Sequence, residues 1–587
     1  MKKYLIIIFL VFAFKVNAST YYVAASGGSD SNPGTIGSPW ATWQKAFNTA
    51  DAGDTVYFRG GVWYPTTTYN GYAITEIDPN GGIGHNGTYS NPICFFAYPA
   101  DYAVGNFPIL DCRNVVNNIG HIGININEAT YLKFKGLTIR HVRMISPTAN
   151  CSGIEQTIHS TPGAVISYEN MVVHNVGGAG YWLAGYDTLY LKNCDVYNCC
   201  DSLDATSPGG DGDGYNVTSG GTDVDTFKVA YIEGCRAWHV SDDGWDLSSS
   251  KQFHVSDCWA WNIGYMGTDY GGDANAFKLA NSNILNMGKR VIRNCIMTNS
   301  GCALNTANIQ DPYYGPRLEY YNNSMYDNIF SVFAAVGGFQ CSTGRMQEIH
   351  RNNLIYLNTG TYYSLFMSCN YTNDSITLDH CSWNIKDGYP YWELNPAFNV
   401  TADDFVSLDT AQLRGARKPD GSLPDITFMK LVSTTDLIDG GVDVGLPYND
   451  AAPDLGYAEY GEPDEPEEPI VRSTVSTYKP RWLTNTTATT GGNVIDDGGG
   501  IISERGICWN TTGNPTTADN KQSYPSGGTG SFTIIMTGLS KSESYYVRAY
   551  AINQWGTSYG NQMTFRTQFL KKNGKILTSN GKILIVD

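Results

Sequence analysis

The stretches LKNCDVY (191–197), IEGCRAW (232–238), VSDCWAW (255–261) and IRNCIMT (292–298) repeat one phrase. Each reads as the end of an alternating strand, then Asn, Gly or Asp, then Cys and a second apolar strand. The middle residue turns a corner and changes which side chains face inward. Looser copies extend the pattern both ways: FKGLTI (134–139), YENMVVH (168–174), YNNSMYD (321–327), HRNNLIY (350–356) and LDHCSWN (378–384). The interval is irregular, 41 residues from Cys194 to Cys235 and 23 from Cys235 to Cys258. Regular strands joined by loops of unequal length describe a coil stacking on itself, not a propeller. The expected fold class is therefore all-β, with a parallel β-helix, or solenoid, as its main body.

In such a solenoid successive coils lie about 4.8 Å apart and equivalent residues form ladders. Cys194, Cys235, Cys258 and Cys295 then become buried rungs of reduced thiols, since Cys behaves as a small hydrophobe. The pairing of Cys199, Cys200 and the other cysteines stays open. PWATWQKAF (39–47) has helical apolar spacing and precedes a turn into a strand, which suits a helix capping the first open coil. The coils are expected to end near Ala452 to Tyr457, so the main domain is read as residues 19–461. Residues 462–469, EPDEPEEP, form an acidic, proline-rich linker.

Short strands spaced by Gly-containing turns then predict a small β-sandwich over 470–567. Its segment from Gly538 to Asn553 resembles the later strands of fibronectin type III domains. The tail, 568–587, carries NGKIL twice, at 573–577 and 580–584, which reads either as hairpins with Asn-Gly turns or as a sorting signal. At the other end, MKKYLIIIFLVFAFKVNA (1–18) has two lysines, an apolar run too short to span a bilayer and a small-residue cleavage site. It reads as an export signal, so the mature protein is expected outside the cytoplasm, as a monomer with no transmembrane segment.

The chain has 587 residues, of which 16% are charged, against about 25% in an average soluble chain. With 64 glycines and 40 tyrosines it is neither a disordered tail protein nor a coiled coil. Its 38 basic and 55 acidic residues leave a formal charge of −17. No basic stripe marks a nucleic-acid partner. A polyanionic partner would need positive charge concentrated locally, and a bound cation is one way to supply it.

Three consecutive coils carry unusual chemistry just before the corner phrase: DGYNV (213–217), DDGWDL (242–247) and NAFKL (275–279). Aligned on Tyr215, Trp245 and Phe277, which are 30 and 32 residues apart, they put Asn216, Asp246 and Lys278 on the opposite face of one strand ladder. Asp213, Asp242, Asp243 and Asp246 converge on two rungs and repel one another unless a counter-charge joins them. Ca2+ is the natural candidate, because it takes six to eight hard oxygen ligands, and no His/Cys cluster at zinc spacing accompanies these aspartates.

Lys278 reads either as a salt-bridge partner of Asp246 or as a base. An ammonium that is desolvated beside a divalent cation has its pKa lowered, and the neutral amine can accept a proton. A cation and an amine together suit β-elimination of a uronic-acid polymer. The metal acidifies the C5 hydrogen next to the carboxylate, the amine removes it, and the C4 glycosidic oxygen leaves. An alkaline pH optimum is expected.

At these residues the sequence resembles polysaccharide lyase family 9, the right-handed parallel β-helix lyases. The matching segments are GCRAW (234–238), SDDGWDL (241–247) and AFKL (276–279). The resemblance implies that Asp213, Asp242, Asp243 and Asp246 are calcium ligands, that Lys278 is the Brønsted base, and that the partner is an anionic pectic polysaccharide such as polygalacturonate or rhamnogalacturonan I. Two alternatives come from other classes. A β-helical hydrolase of the polygalacturonase type would be expected to carry Gly-His-Gly and Arg-Ile-Lys segments, and neither is present. A calcium-binding surface adhesin would leave Lys278 idle.

Overall fold

The protein was analysed as a computed structural model describing residues 18–461 and 473–567, with interruptions of which 335–346 and 385–397 are the longest, and four two-residue strands between Lys571 and Ile583. The export signal and the acidic linker thus fall almost wholly outside the described residues. Contacts divide the chain into two compact units, Met1–Glu462 and Pro463–Asp587. Among the described residues no helix is long and apolar enough to cross a membrane.

The first unit is the expected parallel β-helix. Each full coil gives one strand to each of three parallel sheets. Sheet I has ten strands, from Ala73–Ile77 to Ser364–Met367; sheet II has twelve, from Thr20–Val23 to Ile376–Asp379; and sheet III has eleven, from Gly61–Trp63 to Ser382–Trp383. The corner between sheets II and III is the residue before each Cys. Asn193, Gly234, Asp257 and Asn294 have φ between 53° and 63°, the left-handed region that Asn, Asp and Gly tolerate best. Gly234 has a second constraint, since a Cβ there would lie 2.2 Å from Asn193 Oδ1 on the neighbouring rung. A second left-handed ladder, unanticipated from the sequence, bends the chain out of sheet III at His141, Asn175, Asn198, His239 and Asn262. Its side chains pair along the axis, Asn198 Nδ2 donating to Asn175 Oδ1 at 2.9 Å.

The interior holds the ladders expected. Cys194, Cys235, Cys258 and Cys295 are fully buried free thiols. Cys235 Sγ accepts from the Cys194 N–H at 3.4 Å, and Cys295 Sγ accepts likewise from Cys258. Beneath sheet I, Tyr181, Tyr215, Trp245 and Phe277 stack with centroids 4.8, 5.2 and 4.6 Å apart. Each such pair adds about 0.5–1.5 kcal/mol beyond its buried area. The cap is the helix Trp43–Thr49, started by the Thr42 side chain accepting from Lys45 N at 3.1 Å. It lays Trp43, Ala46 and Phe47 on the open end, where Phe47 meets Phe58, Phe95 and Phe134.

The extent of the coils differs from the sequence reading. Among the described residues the coil strands end at Ser382–Trp383, and residues 398–461 form a strap with two 3-10 turns, Ala402–Asp404 and Thr410–Arg414. Phe405, Leu413, Phe428, Leu431 and Leu455 of the strap bury against Trp259, Trp261, Tyr326 and Tyr356 on the outer face of sheet III. Those outward aromatics leave that face too apolar for solvent, so the chain doubles back over it. The strap is pinned by buried charge. Asp195 accepts from Arg236 at 2.7 Å and from Arg417 at 2.6 Å, and Arg236 also donates to the carbonyls of Leu413 and Gly415.

The second unit packs two antiparallel sheets face to face. One joins Thr474–Thr477, Ala488–Asp496 and Gly530–Met536; the other is built on Glu504–Asn510 and Ser544–Asn553. Val494, Ile507, Phe532 and Val547 fill the space between them. In the tail, Lys571–Lys572 pairs antiparallel with Lys575–Ile576, and Thr578–Ser579 with Lys582–Ile583.

Burial disfavours the charge on Asp195, but Arg236 and Arg417 more than offset it and hold its carboxyl below the usual range. A lowered folded pKa gives stability that is present above the unfolded value, about 3.9, and is lost as pH falls through the folded one. Asp195→Ala leaves two buried guanidinium groups without a counter-charge and should cost about 3–5 kcal/mol. The urea midpoint at pH 7 will show the loss, and the gap between wild type and variant will narrow below pH 4.

Candidate functional site

The site lies at the edge where sheet III passes into sheet I. Strands Tyr215–Thr218, Trp245–Asp246 and Asn275–Lys278 are neighbours in sheet I. Their register pairs Tyr215 with Trp245 and Phe277, and Asn216 with Asp246 and Lys278, as the spacing of the aromatics predicts. Two residues before each of these aromatics stands a polar side chain, Asp213, Asp243 or Asn275. Backbone bonds lock them rung on rung, Gly214 N donating to Asp243 O and Gly244 N to Asn275 O, both at 2.8 Å.

Asp213, Asp242 and Asp243 are all buried, and one carboxylate oxygen from each lies within 4.8 Å of the others. The cluster is held from below. Asp243 N donates to Asp213 Oδ1 at 3.1 Å, Asn216 Nδ2 to Asp213 Oδ2 at 2.9 Å, and Asn275 Nδ2 to Asp243 Oδ1 at 2.7 Å. Asp242 Oδ1 accepts from Asp273 N at 2.5 Å. That approach requires Gly272, at φ 55°, because a Cβ would sit 2.2 Å from the same oxygen. Asp243 Oδ2 is buried and is paired with Lys278 Nζ at 3.0 Å.

Asp246 stands outside the triad. Its Oδ1 accepts from Ser248 N at 2.9 Å and its Oδ2 is 3.9 Å from Lys278 Nζ. Lys278 is nearer to Asp243, and to Asp273 at 2.8 Å, than to the Asp246 partner read from the sequence. Two contributors were missed. Asn275 was legible, since it occupies in NAFK the position of Asp213 in DGYN and Asp243 in DGWD. Asp273 belongs to the loop before its strand, and no repeat phrase points to it.

Electrostatics follow from crowding. Burial raises Asp213 well above the carboxylate range, and Asp243 and Asp246 raise it further. Asp242 is pushed up to about 10 by burial and then by Asp243 and Asp213. Asp243 rises to about 6 through burial, moderated by Lys278. For Lys278 burial works against the charge, but Asp243, Asp246, Asp273 and Asp242 outweigh it and hold the ammonium above the ordinary lysine range. The lowered value expected from sequence presupposes a bound cation; without one, the carboxylates around the amine hold its proton. Three buried carboxylates that resist ionisation and offer hard oxygen atoms within 4.8 Å of one another suit a hard divalent cation such as Ca2+. Arg236 faces away into the strap, and His239 lies on the left-handed ladder beside Asn262, 3.1 Å away.

Comparison with known proteins meets this geometry. Residues 21–363 match the family described as "Pel9A-like, right handed beta helix region". The chain belongs to that family. The resemblance to polysaccharide lyase family 9 is thereby borne out, and the match spans every strand of the site. Among curated relatives, "Pectate lyase L" of Dickeya chrysanthemi is 25% identical over 449 residues, covering 75% of this chain and 90% of its own. "Pectate lyase PEL9" of Emericella nidulans is 25% identical over 440 residues, covering 70% of this chain and 92% of its own. Two crystal structures share the fold. Pectate lyase Pel9A has a TM-score of 0.55 at 22% identity, covering 76% of this chain and 97% of its own; a rhamnogalacturonan lyase has 0.57 at 24%, covering 71% and 97%.

Raised carboxyl pKa values set the pH dependence of the metal-free Pel9A-like chain. Between the unfolded value, about 3.9, and the folded values the native state holds more protons, so stability falls as pH rises. In chelator the melting temperature of the isolated first unit's transition should drop from pH 5 to pH 9. Added calcium should recover more of it at pH 9 than at pH 5, and Asp243→Asn should abolish that recovery. Equal melting at both pH values in chelator would contradict this account.

Proposed function

We propose that this member of the family is an exported, calcium-dependent lyase that cleaves a pectic, uronic-acid-containing polysaccharide by β-elimination, with Lys278 as the base. The observation that carries the reading is the juxtaposition of a lysine amine with a buried triad of aspartates, 3.0 Å from Asp243, on the open face of sheet I. The curated relatives it matches are named pectate lyases, which supports the substrate class.

Asp213, Asp242 and Asp243 would hold the cation, with Asp246 beside them. A calcium ion bound there supplies Lewis-acid polarisation of a substrate carboxylate and offsets the carboxylate charge that keeps Lys278 protonated. Lys278 then takes the C5 proton of the uronate. The C5–H electron pair becomes the C4=C5 double bond, the C4–O bond breaks, and the glycosidic oxygen leaves with its pair and is protonated by water. Asn216 and Asn275 fix the orientation of Asp213 and Asp243 through their amide hydrogens. The hydrolase alternative needs a carboxylic acid and a carboxylate flanking a bond, whereas here the carboxylates are clustered within 4.8 Å.

The test is ultraviolet absorbance of the 4,5-unsaturated product on polygalacturonate and on rhamnogalacturonan I. Activity should require calcium and rise toward alkaline pH. Lys278→Ala should lower kcat by about 10²–10⁴. Lys278→Arg should be equally poor, because a guanidinium cannot lose its proton in this range. Reducing-end release without unsaturated product would instead establish a hydrolase.

A further inference from the structure

Sheet II presents outward ladders on a face of the same coils that the carboxylate site does not use. Tyr190, Tyr231 and His254 occupy successive rungs, and their rings stack at 5.4 and 5.3 Å. Tyr190 is 44% and Tyr231 41% exposed. The stack ends at His254 because the next rung begins the strand Arg290–Arg293 with Val291 in register. Beyond the imidazole opens a cavity of about 350 Å³, bounded by Tyr231, His254, Lys289, Arg293 and Tyr321 together with Val444–Leu446 of the strap.

The neighbouring row explains the charge of this cavity. It runs Lys135, Glu169, Lys192, Glu233, Ser256, Arg293 in register. Opposite charges pair off first, Lys135 with Glu169 at 2.7 Å and Lys192 with Glu233 at 2.9 Å. Ser256 breaks the alternation, so Arg293 faces no carboxylate on its own row, and its charge acts on Asp257 beside that row and on His254. Lys289 lies on the same cavity, paired with the buried Glu319 at 2.7 Å. In a chain of net charge −17, a cavity that gathers the cations Arg293 and Lys289 beside aromatic rings marks a place for an anionic, partly apolar ligand.

We propose that this cavity is a second polysaccharide-binding site, taking one unit of a uronic-acid chain with its carboxylate on Arg293 and the C–H face of its pyranose against the outer face of His254, which Tyr231 backs from the other side. The choice of a uronate chain rests on the function proposed above. A bidentate guanidinium fits a carboxylate and the flat rings fit a sugar face, a combination that a neutral polysaccharide or a simple anion would use only in part.

Affinity electrophoresis tests this with the full chain in gels containing polygalacturonate or neutral galactan, with chelator throughout so that no polymer is cleaved. Wild type should be retarded by polygalacturonate and not by galactan. Arg293→Ala and Tyr231→Ala should each weaken the apparent Kd at least fivefold, while Arg293→Lys, which keeps the charge, should retain an intermediate affinity and report that the fold is intact. Wild-type mobility unchanged by polygalacturonate, equal retardation by galactan, or equal retardation of all variants would overturn the proposal. The measurement involves no turnover, so a failed lyase assay and a failed binding assay are distinguishable.

Discussion

Register between coils governs this molecule. Because every coil adds one rung to each of three sheets, each side chain meets its equivalents a few ångströms away along the axis, and any residue type placed at one position becomes a column. Columns of Cys, aromatics and Asn are favourable, as the Cys194 to Cys295 ladder and the Tyr181 to Phe277 stack show. A column of aspartates is not. The same hydrogen bonds that align Tyr215 with Trp245 force Asp213 and Asp243 together, and the cost appears as carboxyl groups that resist ionisation.

That cost is the source of the chemistry. An isolated solvent-exposed carboxylate gains little from a divalent cation, whereas buried ones that cannot ionise alone gain a great deal. Lys278 shares the situation from the other side. Its amine is partly desolvated, yet carboxylates from the neighbouring rung and from the loop at Asp273 hold its proton. Charge at the centre and protonation of the amine are therefore coupled, and the proposed role of Lys278 as a base draws on that coupling.

The strap answers a different consequence of columns. On sheet III the outward row includes Trp238, Trp261, Tyr326 and Tyr356, an apolar stripe that open coils would leave in water. Residues 398–461 cover it and are fastened through Asp195, whose two arginine partners come from a coil strand and from the strap. The aromatic row on sheet II has no such cover over Tyr190 and Tyr231.

Much of this was legible in the sequence. The corner phrase implied parallel coils because Asn, Asp and Gly tolerate the left-handed bend that each coil needs, and the spacing of Tyr215, Trp245 and Phe277 set the register of the site to the residue. Aligning those phrases placed Asp213, Asp242, Asp243 and Lys278 in one neighbourhood, since a fixed rung spacing turns sequence alignment into spatial proximity. What the sequence could not decide is whatever depends on loops and on chain reversal. Asp246 stands apart from the triad because its side chain turns toward Ser248, Asp273 reaches Lys278 from an irregular loop, and the strap folds back across coils more than 150 residues earlier. No repeat period encodes those contacts; only the packing of side chains in three dimensions settles them.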